Sequence, residues 1–435
     1  MSIGLFRLIA RAFFREIVIS GRENLPPEGC PVIIVANHPN ALLDPLLLMF
    51  LSPPVRLRFI AKEPLFRIPV LGAILRKLRA IPVIRRFDVR GEVEYTPFFH
   101  ACVDALAEGD SVVIFPEGRS LPLPSIAPLR TGAARIYLLA RKRDIRCRLI
   151  PVGLNYERGA IFRSSVLMSI APPVPADSFE QHSAADPVSA VRGLTAEISR
   201  SLEDNLFQAE TFQDRELLLL LERLYSREET DRSWLQRYSR LKKFQSGLAG
   251  LRKCCPLDIE RMRRRLARYR CISDAFNLEE DIGGSGKAGG VWKRTLLASI
   301  GTIIAGIGAL LNWIPYRLDG YLIRITGRTE ADAATYKILY ALLLFPLIYI
   351  LEGFLVAYFL GWKAGVLFGL LILPLSWFTL LLLEWRTQFG IEVKPPSAWF
   401  RVRRSRRAQR ALNRLRDTII REVDSLAARP ELRDQ

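Results

Sequence analysis

The pattern of apolar and polar positions divides the chain into two parts that are built differently. Between Pro31 and Leu154, short apolar runs alternate with longer segments of helical periodicity. Several runs are apolar throughout, which is typical of strands buried on both faces of a parallel sheet. The pattern therefore predicts an α/β fold with a mainly parallel sheet. The predicted strands are Val32–Ala36, Val55–Ala61, Ile81–Ile84, Ser111–Phe115 and Leu149–Leu154, and the predicted helices cover 64–79, 92–108 and 131–143.

The first twenty residues have an amphipathic helical pattern. Because a cleaved signal peptide has an uninterrupted apolar core, the charged residues in this run indicate that it is not one. The pattern predicts a membrane-associating helix over residues 1–20, and a surface helix packed on the protein core is the alternative. The apolar face consists of Leu5, Phe6, Ile9, Phe13 and Ile17, and the charged residues are Arg7, Arg11, Arg15 and Glu16.

The second half of the chain combines helices with long apolar runs. Residues 190–275 interleave apolar and charged positions and predict helices, and 283–290 have the composition of a flexible linker. Three apolar runs follow at 296–314, 338–360 and 364–383, and the last two are long enough to span a bilayer. Basic residues flank the first run on both sides and follow the third. If these stay cytoplasmic, the first run is re-entrant and the other two form a hairpin, and three full spans are the alternative.

Composition and charge narrow the classes of partner. The 435 residues carry a formal net charge of +19, which favours nucleic acid or an anionic membrane surface. Nucleic-acid binding requires aromatic side chains among the basic ones, and Tyr269 and Phe400 are the obvious candidates, so the apolar runs favour the membrane. The arginine cluster at 261–270 fits either a solvated helix face or lipid headgroups. The six cysteines form no Cys-x-x-Cys pair, so we expect reduced thiols and no metal site.

Two short polar segments carry the candidate chemistry, and the first is Asn37-His38-Pro39-Asn40-Ala41-Leu42-Leu43-Asp44. A histidine can act as a general base near neutral pH, and a carboxylate on its other ring nitrogen fixes the tautomer and stabilises the imidazolium. On a regular helix the two side chains would point about 240° apart, and a proline follows each of them, so we expect a loop or broken turn. No Ser or Cys nucleophile adjoins the pair, which favours direct attack by a substrate oxygen.

The second segment is Phe115-Pro116-Glu117-Gly118-Arg119-Ser120. Gly118 allows the backbone to approach a ligand closely, and Arg119 can hold a phosphate through two parallel hydrogen bonds. A Pro-Glu-Gly-Arg turn alone is a weak signal, since turns often have this composition. Both segments follow predicted strands, and open α/β sheets place their sites at the carboxyl ends of strands. Together they indicate a base beside an anion-binding turn.

In these residues the chain resembles the glycerolipid acyltransferases, the family of glycerol-3-phosphate and lysophosphatidate acyltransferases. Four family blocks can be placed in order: Asn37–Asp44, Ala80–Arg86, Phe115–Ser120 and Leu149–Leu154, with Ala61-Lys62-Glu63 as a further family element. The resemblance implies an α/β acyltransferase domain in which His38 is the base and Asp44 its orienting carboxylate. It also implies a set of substrate-binding residues, which are Asn37, Arg85, Arg86, Glu117, Gly118, Arg119, Ser120 and Pro151, the last lining the acyl region.

With this resemblance the chain divides into six segments. They are the membrane-associating helix (1–20), the acyltransferase domain (21–210), a helical extension (211–282), the linker (283–290), the membrane region (291–385) and a basic cytoplasmic tail (386–435). The expected location is a bacterial inner membrane, with the catalytic domain on the cytoplasmic side.

Two departures from the family pattern bear on the acceptor. Five residues rather than the usual four separate His38 from Asp44, and the usual Thr between Gly118 and Arg119 is absent. A similar long spacing occurs in the fungal-type glycerol-3-phosphate/dihydroxyacetone-phosphate acyltransferases. The resemblance therefore implies transfer of a fatty acyl group from acyl-CoA or an acyl carrier protein to glycerol 3-phosphate or dihydroxyacetone phosphate, with lysophosphatidate as the alternative acceptor.

The expected partners are thus a phospholipid membrane, a thioester donor and a phosphorylated glycerol acceptor. No nucleic acid and no cofactor besides the thioester co-substrate are expected, and the oligomeric state is left open. A non-enzymatic scaffold that binds lipid is the second class of function. Loss of His38 or Asp44 would favour it, and both residues are present.

Overall fold

We describe the protein from a computed structural model. It describes residues 3–27, 29–52, 55–84, 94–159, 161–226, 233–275, 304, 306–325, 330–388 and 402–428. The chain divides into two compact units. The first consists of Met1–Arg215, Ser233–Ser239 and Thr329–Thr335, and the second of Glu216–Arg232, Arg240–Arg328 and Tyr336–Gln435.

A seven-stranded sheet forms the centre of the first unit. The strands lie in the order β1-β7-β6-β2-β5-β3-β4, and all neighbours are parallel except β6 and β7. The central strands β2 and β5 are buried along their whole length, as their uninterrupted apolar sequences predict. The prediction of an α/β fold with a mainly parallel sheet is therefore confirmed. The strands are β1 (Glu16–Ser20), β2 (Val32–Ala36), β3 (Leu57–Lys62), β4 (Ile81–Val83), β5 (Ser111–Ile114), β6 (Arg148–Tyr156) and β7 (Ser165–Ile170).

Seven helices of this unit lie between or beside the strands. Apolar side chains of α4, α5 and α7, such as Leu106, Ile136 and Leu194, form one buried cluster with Ile33 and Val112 of the sheet. The segment predicted as a helix over 64–79 is a 3-10 helix followed by α3, and the other two predicted helices correspond to α4 and α5. The helices are α1 (Ile3–Phe13), α2 (Leu43–Leu48), α3 (Pro69–Lys77), α4 (Thr96–Ala107), α5 (Gly132–Lys142), α6 (Asp177–Ala185) and α7 (Pro187–Asp204).

The helix predicted over residues 1–20 is too long. It ends at Phe13, and Glu16–Ser20 form strand β1, because the β-branched run Ile17-Val18-Ile19 pairs in parallel with β7. Ile17 therefore lies on a strand and not on the helix face. Helix α1 packs one side on the protein and exposes the other, with Phe6, Ala10 and Phe13 buried and Leu5 and Leu8 exposed.

Strands β1 and β7 are absent from the predicted set and extend the sheet beyond the end of β2. Ala36, the last residue of β2, pairs with Val152, whereas Ser20 pairs with Ser169, which pairs with Gly153. The whole of β1 therefore lies past the carboxyl end of β2. Helix α1 and strand β1 are thus on the side of the sheet where α/β proteins form their sites.

The rest of the described chain is helical. The helices are α8 (Phe212–Ser226), α9 (Trp234–Cys254), α10 (Pro256–Ala275), α11 (Trp313–Ile325), α12 (Glu330–Leu360), α13 (Trp362–Gln388) and α14 (Val402–Ala427). In the second unit, α14 packs on α10 through the Arg265–Glu422 ion pair, and the Tyr225 hydroxyl of α8 donates to Asp424 at 2.8 Å. The predicted linker 283–290 and most of the first apolar run lie outside the described residues.

Two helices of the described chain are long and apolar enough to cross a membrane. These segments, Leu339–Leu360 and Trp362–Leu381, agree with the runs predicted at 338–360 and 364–383. Gly361, with φ of 90°, separates the two helices. They approach closely, since a Cβ on Gly365 would lie 2.6 Å from the Cβ of Ala357. The placement of this hairpin in a membrane and its orientation stay predictions.

Candidate active site

The loop between β2 and α2 carries the first candidate segment. His38 lies in the loop, but Asp44 belongs to the first turn of α2, so the expectation of a non-helical backbone holds for the histidine alone. Pro45 is compatible with this turn because the first turn of a helix leaves its N–H groups unpaired. Ala41 has φ of 42°, in the left-handed region, and its N–H donates to Ser120 Oγ at 2.8 Å. This reversal of the chain brings Asp44 back to His38.

His38 and Asp44 form a hydrogen-bonded pair. His38 Nδ1 lies 2.7 Å from Asp44 Oδ2, and the aspartate side chain has no exposed surface, whereas 19% of the histidine side chain is exposed. Because an ionised carboxylate can only accept, the proton in this bond belongs to Nδ1, and Nε2 keeps a free lone pair. The ring of Phe115 stacks on the imidazole at 4.0 Å between centroids and 15° between planes, which fixes the ring plane. The arrangement is that of an oriented general base.

Two further donors hold the Asp44 carboxylate. The Asn40 N–H donates to Oδ2 at 2.8 Å, and the Tyr156 hydroxyl donates to Oδ1. Burial, and then the charge of Asp44, raise the pKa of Tyr156 well above its ordinary value, so the phenol keeps its proton. A buried carboxylate is costly unless it is hydrogen-bonded, and the three donors engage both oxygens. Tyr156 was missed by the sequence reasoning, and its one signal was its place just past a predicted strand.

Glu117 holds the backbone of the histidine loop. Its Oε1 accepts the His38 N–H at 2.7 Å, and its Oε2 accepts the Ala127 N–H at 3.3 Å. Burial raises the pKa of this carboxyl group. The second candidate segment is thereby tied to the first through a side chain expected to bind substrate, and its part in substrate binding stays a prediction.

The turn after β5 presents arginines at the same edge of the sheet. Gly118 has φ of 73°, a backbone conformation that favours glycine, and a Cβ on it would lie 2.6 Å from Nε of Arg130, so any larger residue would displace that arginine side chain. Arg119 and Arg130 are exposed. The sequence singled out Arg119, and the structure adds that Arg130 lies against the same turn.

Asn37 and Pro151 lie in the sheet next to the histidine loop. The Asn37 side chain binds the backbone of Leu154 twice, donating from Nδ2 to the carbonyl at 3.1 Å and accepting the N–H at Oδ1 at 2.7 Å. These bonds fix the end of β2 against β6. Pro151 is buried in β6 opposite Val35. Roles for Asn37 and Pro151 in substrate binding stay predictions.

Two further expectations from the sequence concern the substrate-binding residues Arg85 and Arg86 and a metal site. Arg85 and Arg86 lie outside the described residues. Within the described part of the chain, no group of three or more His, Cys, Asp or Glu side chains is arranged to hold a metal ion.

Comparison with known proteins finds a family match in this part of the chain. Residues 16–155 match the acyltransferase family model. The chain is 36% identical over 150 residues to a 1-acyl-sn-glycerol-3-phosphate acyltransferase of Chlamydomonas reinhardtii, covering 34% of this chain and 43% of that one. It is 21% identical over 305 residues to glycerol-3-phosphate O-acyltransferase 1 of Saccharomyces cerevisiae, covering 50% of this chain and 40% of that one. The chain thus spans less than half the length of these curated relatives.

Among solved structures, the chain resembles the 1-acyl-sn-glycerophosphate (LPA) acyltransferase PlsC of Thermotoga maritima. The match covers 45% of this chain and 78% of that one, at 21% identity and a TM-score of 0.32, a likeness too small to add to the argument.

An oriented histidine base at the carboxyl edge of a parallel sheet, beside an arginine-bearing turn, is an arrangement that can remove a proton from a hydroxyl group next to a bound anion. The family match includes the loop that carries His38 and Asp44 and the turn at Gly118. Residues 16–155 thus form an acyltransferase domain, and the relatives that the chain matches are named 1-acyl-sn-glycerol-3-phosphate and glycerol-3-phosphate acyltransferases.

Proposed function

We propose that the chain is a membrane-bound O-acyltransferase of phospholipid synthesis, which moves a fatty acyl group from an acyl thioester to glycerol 3-phosphate or dihydroxyacetone phosphate. The observation that carries the proposal is the His38–Asp44 pair with its free Nε2, set beside the turn at Gly118 and Arg119. The match to the yeast glycerol-3-phosphate acyltransferase, which covers 50% of this chain, supports this acceptor.

The reaction follows from the geometry of the base. The acceptor hydroxyl gives its proton to Nε2 of His38 while its oxygen attacks the thioester carbonyl, so that a C–O bond forms. Collapse of the tetrahedral intermediate breaks the C–S bond, and the imidazolium returns the proton to the leaving thiolate. Asp44 stabilises the imidazolium between these steps, and its two other donors, Asn40 N–H and the Tyr156 hydroxyl, keep it aligned with Nδ1.

The acceptor phosphate is assigned to the arginine turn. Arg119 and Arg130 are both exposed, Arg119 directly after Gly118 in the chain and Arg130 with its side chain against Gly118. Glu117, one residue before Gly118, binds the His38 N–H, so the turn and the base are held at a fixed separation. A small acceptor can therefore have its phosphate and its hydroxyl positioned together, which lowers the entropic part of the barrier.

Lysophosphatidate is the second candidate acceptor. The relatives matched at 32–36% identity are all named 1-acyl-sn-glycerol-3-phosphate acyltransferases. The two acceptors share the phosphate and differ by one acyl chain, so the same base and turn serve either reaction. Acyl-CoA and an acyl carrier protein are the candidate donors.

We infer that the enzyme works at the cytoplasmic face of a bacterial inner membrane. The two apolar helices support attachment to a bilayer, and the basic segments around them support the orientation.

The test is acyl transfer by the purified full-length protein with oleoyl-CoA and either glycerol 3-phosphate or lysophosphatidate, with the product resolved by mass spectrometry. The wild-type protein should acylate one acceptor, His38→Ala should form no product, and His182→Ala, which removes an exposed histidine elsewhere in the same unit, should keep full activity. Product from lysophosphatidate alone would replace the first acceptor by the second. Folded protein that acylates neither acceptor, with acyl-CoA or with an acyl carrier protein donor, would refute the enzymatic function.

A further inference from the structure

A basic hollow lies between α1, β1 and the 3-10 helix that follows α2, outside the loop that carries His38. We call it the arginine hollow, and its volume is about 320 Å³. Three arginines line it, together with apolar side chains and no acidic one: Arg11, Arg15 and Arg22 with Ile17, Ile19 and Phe50. A cavity with this lining suits a ligand that is anionic at one end and apolar at the other.

Neutral groups orient two of these arginines. Arg22 donates to the carbonyl oxygen of Phe50 at 3.1 Å, and the guanidinium of Arg11 lies 5.7 Å from the centroid of the Phe50 ring. Arg7, one turn earlier on α1, contacts the same ring at 5.7 Å and donates to the carbonyl oxygen of Met49. Carbonyl and aromatic groups hold a guanidinium in place and leave its positive charge.

The third arginine, Arg15, forms an ion pair with Glu157, which also pairs with Arg237. Arg15 lies 3.3 Å from Glu157, and the same carboxylate lies 2.5 Å from Arg237. One negative charge therefore serves two guanidinium groups. The hollow keeps a net positive charge, and guanidinium groups in such a cluster bind phosphate oxygens well.

Apolar side chains lie both in the lining of the hollow and on the outer face of α1. Ile17 and Ile19 are two residues apart on β1 and so point to the same side of the strand. Leu5 and Leu8 on α1 are 40% and 63% exposed. A phosphate held by the arginines would thus have aliphatic surface next to it. The acyl chains of a lipid can contact this surface, whereas inorganic phosphate has no apolar part that could.

The hollow is also on the catalytic side of the sheet. Strand β1 lies past the carboxyl end of β2, and Phe14, which also lines the hollow, contacts the ring of Tyr156 at 5.8 Å. Tyr156 in turn holds Asp44. A lipid headgroup in the hollow would therefore hold a bilayer against the edge where His38 lies.

We propose that the arginine hollow binds the phosphate group of an anionic phospholipid at the bilayer surface. The lipid is held as a ligand and is not acylated, so the proposal is independent of the acceptor and of catalysis. The charge of the lining and the exposed leucines of α1 are complementary to the headgroup and to the acyl chains of such a lipid.

The test uses the full-length protein in detergent and native mass spectrometry, with short-chain phosphatidylglycerol, phosphatidylcholine of the same chains, and inorganic phosphate as probes. Wild-type protein should bind phosphatidylglycerol about tenfold more tightly than either other probe. The double variant Arg11→Gln with Arg22→Gln should lose this tenfold preference, which is about 1.4 kcal/mol, because it removes two of the charges that bind the phosphate. The matched control is Arg146→Gln with Arg192→Gln, which removes the same charge at exposed positions of the same unit.

Arg11→Gln alone serves as a milder variant, because it leaves the bond from Arg22 to Phe50 intact. It should weaken phosphatidylglycerol binding in a protein that unfolds at the wild-type temperature. Unchanged binding in folded Arg11→Gln and double-variant protein would overturn the site. An equal loss in the control pair would reduce the effect to general charge attraction and overturn it too. Inorganic phosphate bound as tightly as phosphatidylglycerol would overturn the lipid assignment.

Discussion

Replacing Tyr156 with phenylalanine would remove one hydrogen-bond donor from the Asp44 carboxylate, which orients the base. Asp44 is fully buried and has three donors, and this change leaves Oδ1 without its phenolic partner. A hydrogen bond to a charged group contributes about 1.5–3 kcal/mol. If all of that is lost from the transition state, the rate falls roughly 10- to 150-fold, since 1.4 kcal/mol is about a factor of ten.

The expected result is a split between the kinetic constants. We expect kcat of Tyr156→Phe to fall by about tenfold or more with the acceptor KM unchanged, because the hydroxyl contacts Asp44 and not the arginine turn. Steady-state acyl transfer with purified protein measures both constants. A thermal unfolding scan should show a lower midpoint, because the buried carboxylate is also less well satisfied in the folded state.

A double-mutant cycle decides whether the hydroxyl acts through Asp44. Tyr156→Phe added to Asp44→Asn should cost little beyond Asp44→Asn alone, because the two side chains form one unit. Tyr137→Phe is the matched control, since that buried tyrosine also donates to a carboxylate, Glu180, elsewhere in the same unit, and it should keep its kcat. Additive losses in the cycle, or wild-type kcat in folded Tyr156→Phe, would refute the reasoning.

Two further substitutions test the turn beside the base. Gly118→Ala places a Cβ 2.6 Å from Nε of Arg130 and should raise the acceptor KM in steady-state assays, whereas Gly29→Ala, which shares a positive φ but has no atom within 4 Å of the new Cβ, should not. Glu117→Gln keeps one of the two accepting oxygens, so the N–H of either His38 or Ala127 loses its acceptor, at a cost of about 1–3 kcal/mol. The variant should therefore have a lower kcat and a lower unfolding temperature. Burial raises the pKa of Glu117, so the folded state favours the protonated carboxyl group, and the stability that this proton provides is full at low pH and is lost as the pH rises through the raised pKa. The Glu117→Gln variant has no such proton, so its unfolding temperature should lack this part of the pH dependence in scans from acidic to neutral pH. An unchanged pH dependence would contradict the assignment.

The central strands could be predicted because strands that are buried on both faces have uninterrupted apolar sequences. Val32–Ala36 is apolar at every position, and the prediction and strand β2 coincide. The edge strand Glu16–Ser20 could not be predicted, because a short apolar run that follows a helical pattern is compatible with a longer helix as well as with a strand. Its strand conformation depends on pairing with Ser165–Ile170, far along the chain. Only the tertiary fold distinguishes the two.

The candidate base could also be predicted, because His38 and Asp44 stand in one short segment after a strand. The partners of that pair come from elsewhere in the chain. Tyr156 reaches Asp44 because β6 continues past the end of β2, and a strand's length beyond its neighbour is not visible in its own sequence. A carboxylate such as Glu117 can bind a ligand or accept a hydrogen bond from a backbone N–H, and the sequence does not distinguish the two. The fold shows that its acceptor oxygen reaches the N–H of His38.

The five-residue spacing between base and carboxylate is accommodated by the second segment. A left-handed alanine costs roughly 1–2 kcal/mol, and Ala41 adopts this conformation where its N–H reaches Ser120 Oγ. Glu117 binds the N–H of His38 in the same way. Two side chains of the arginine-bearing turn, Glu117 and Ser120, therefore shape the loop that carries the base, so a longer loop keeps the pair at 2.7 Å. In the proposed mechanism the turn thus acts twice, by holding the acceptor and by holding the backbone of the histidine that deprotonates it.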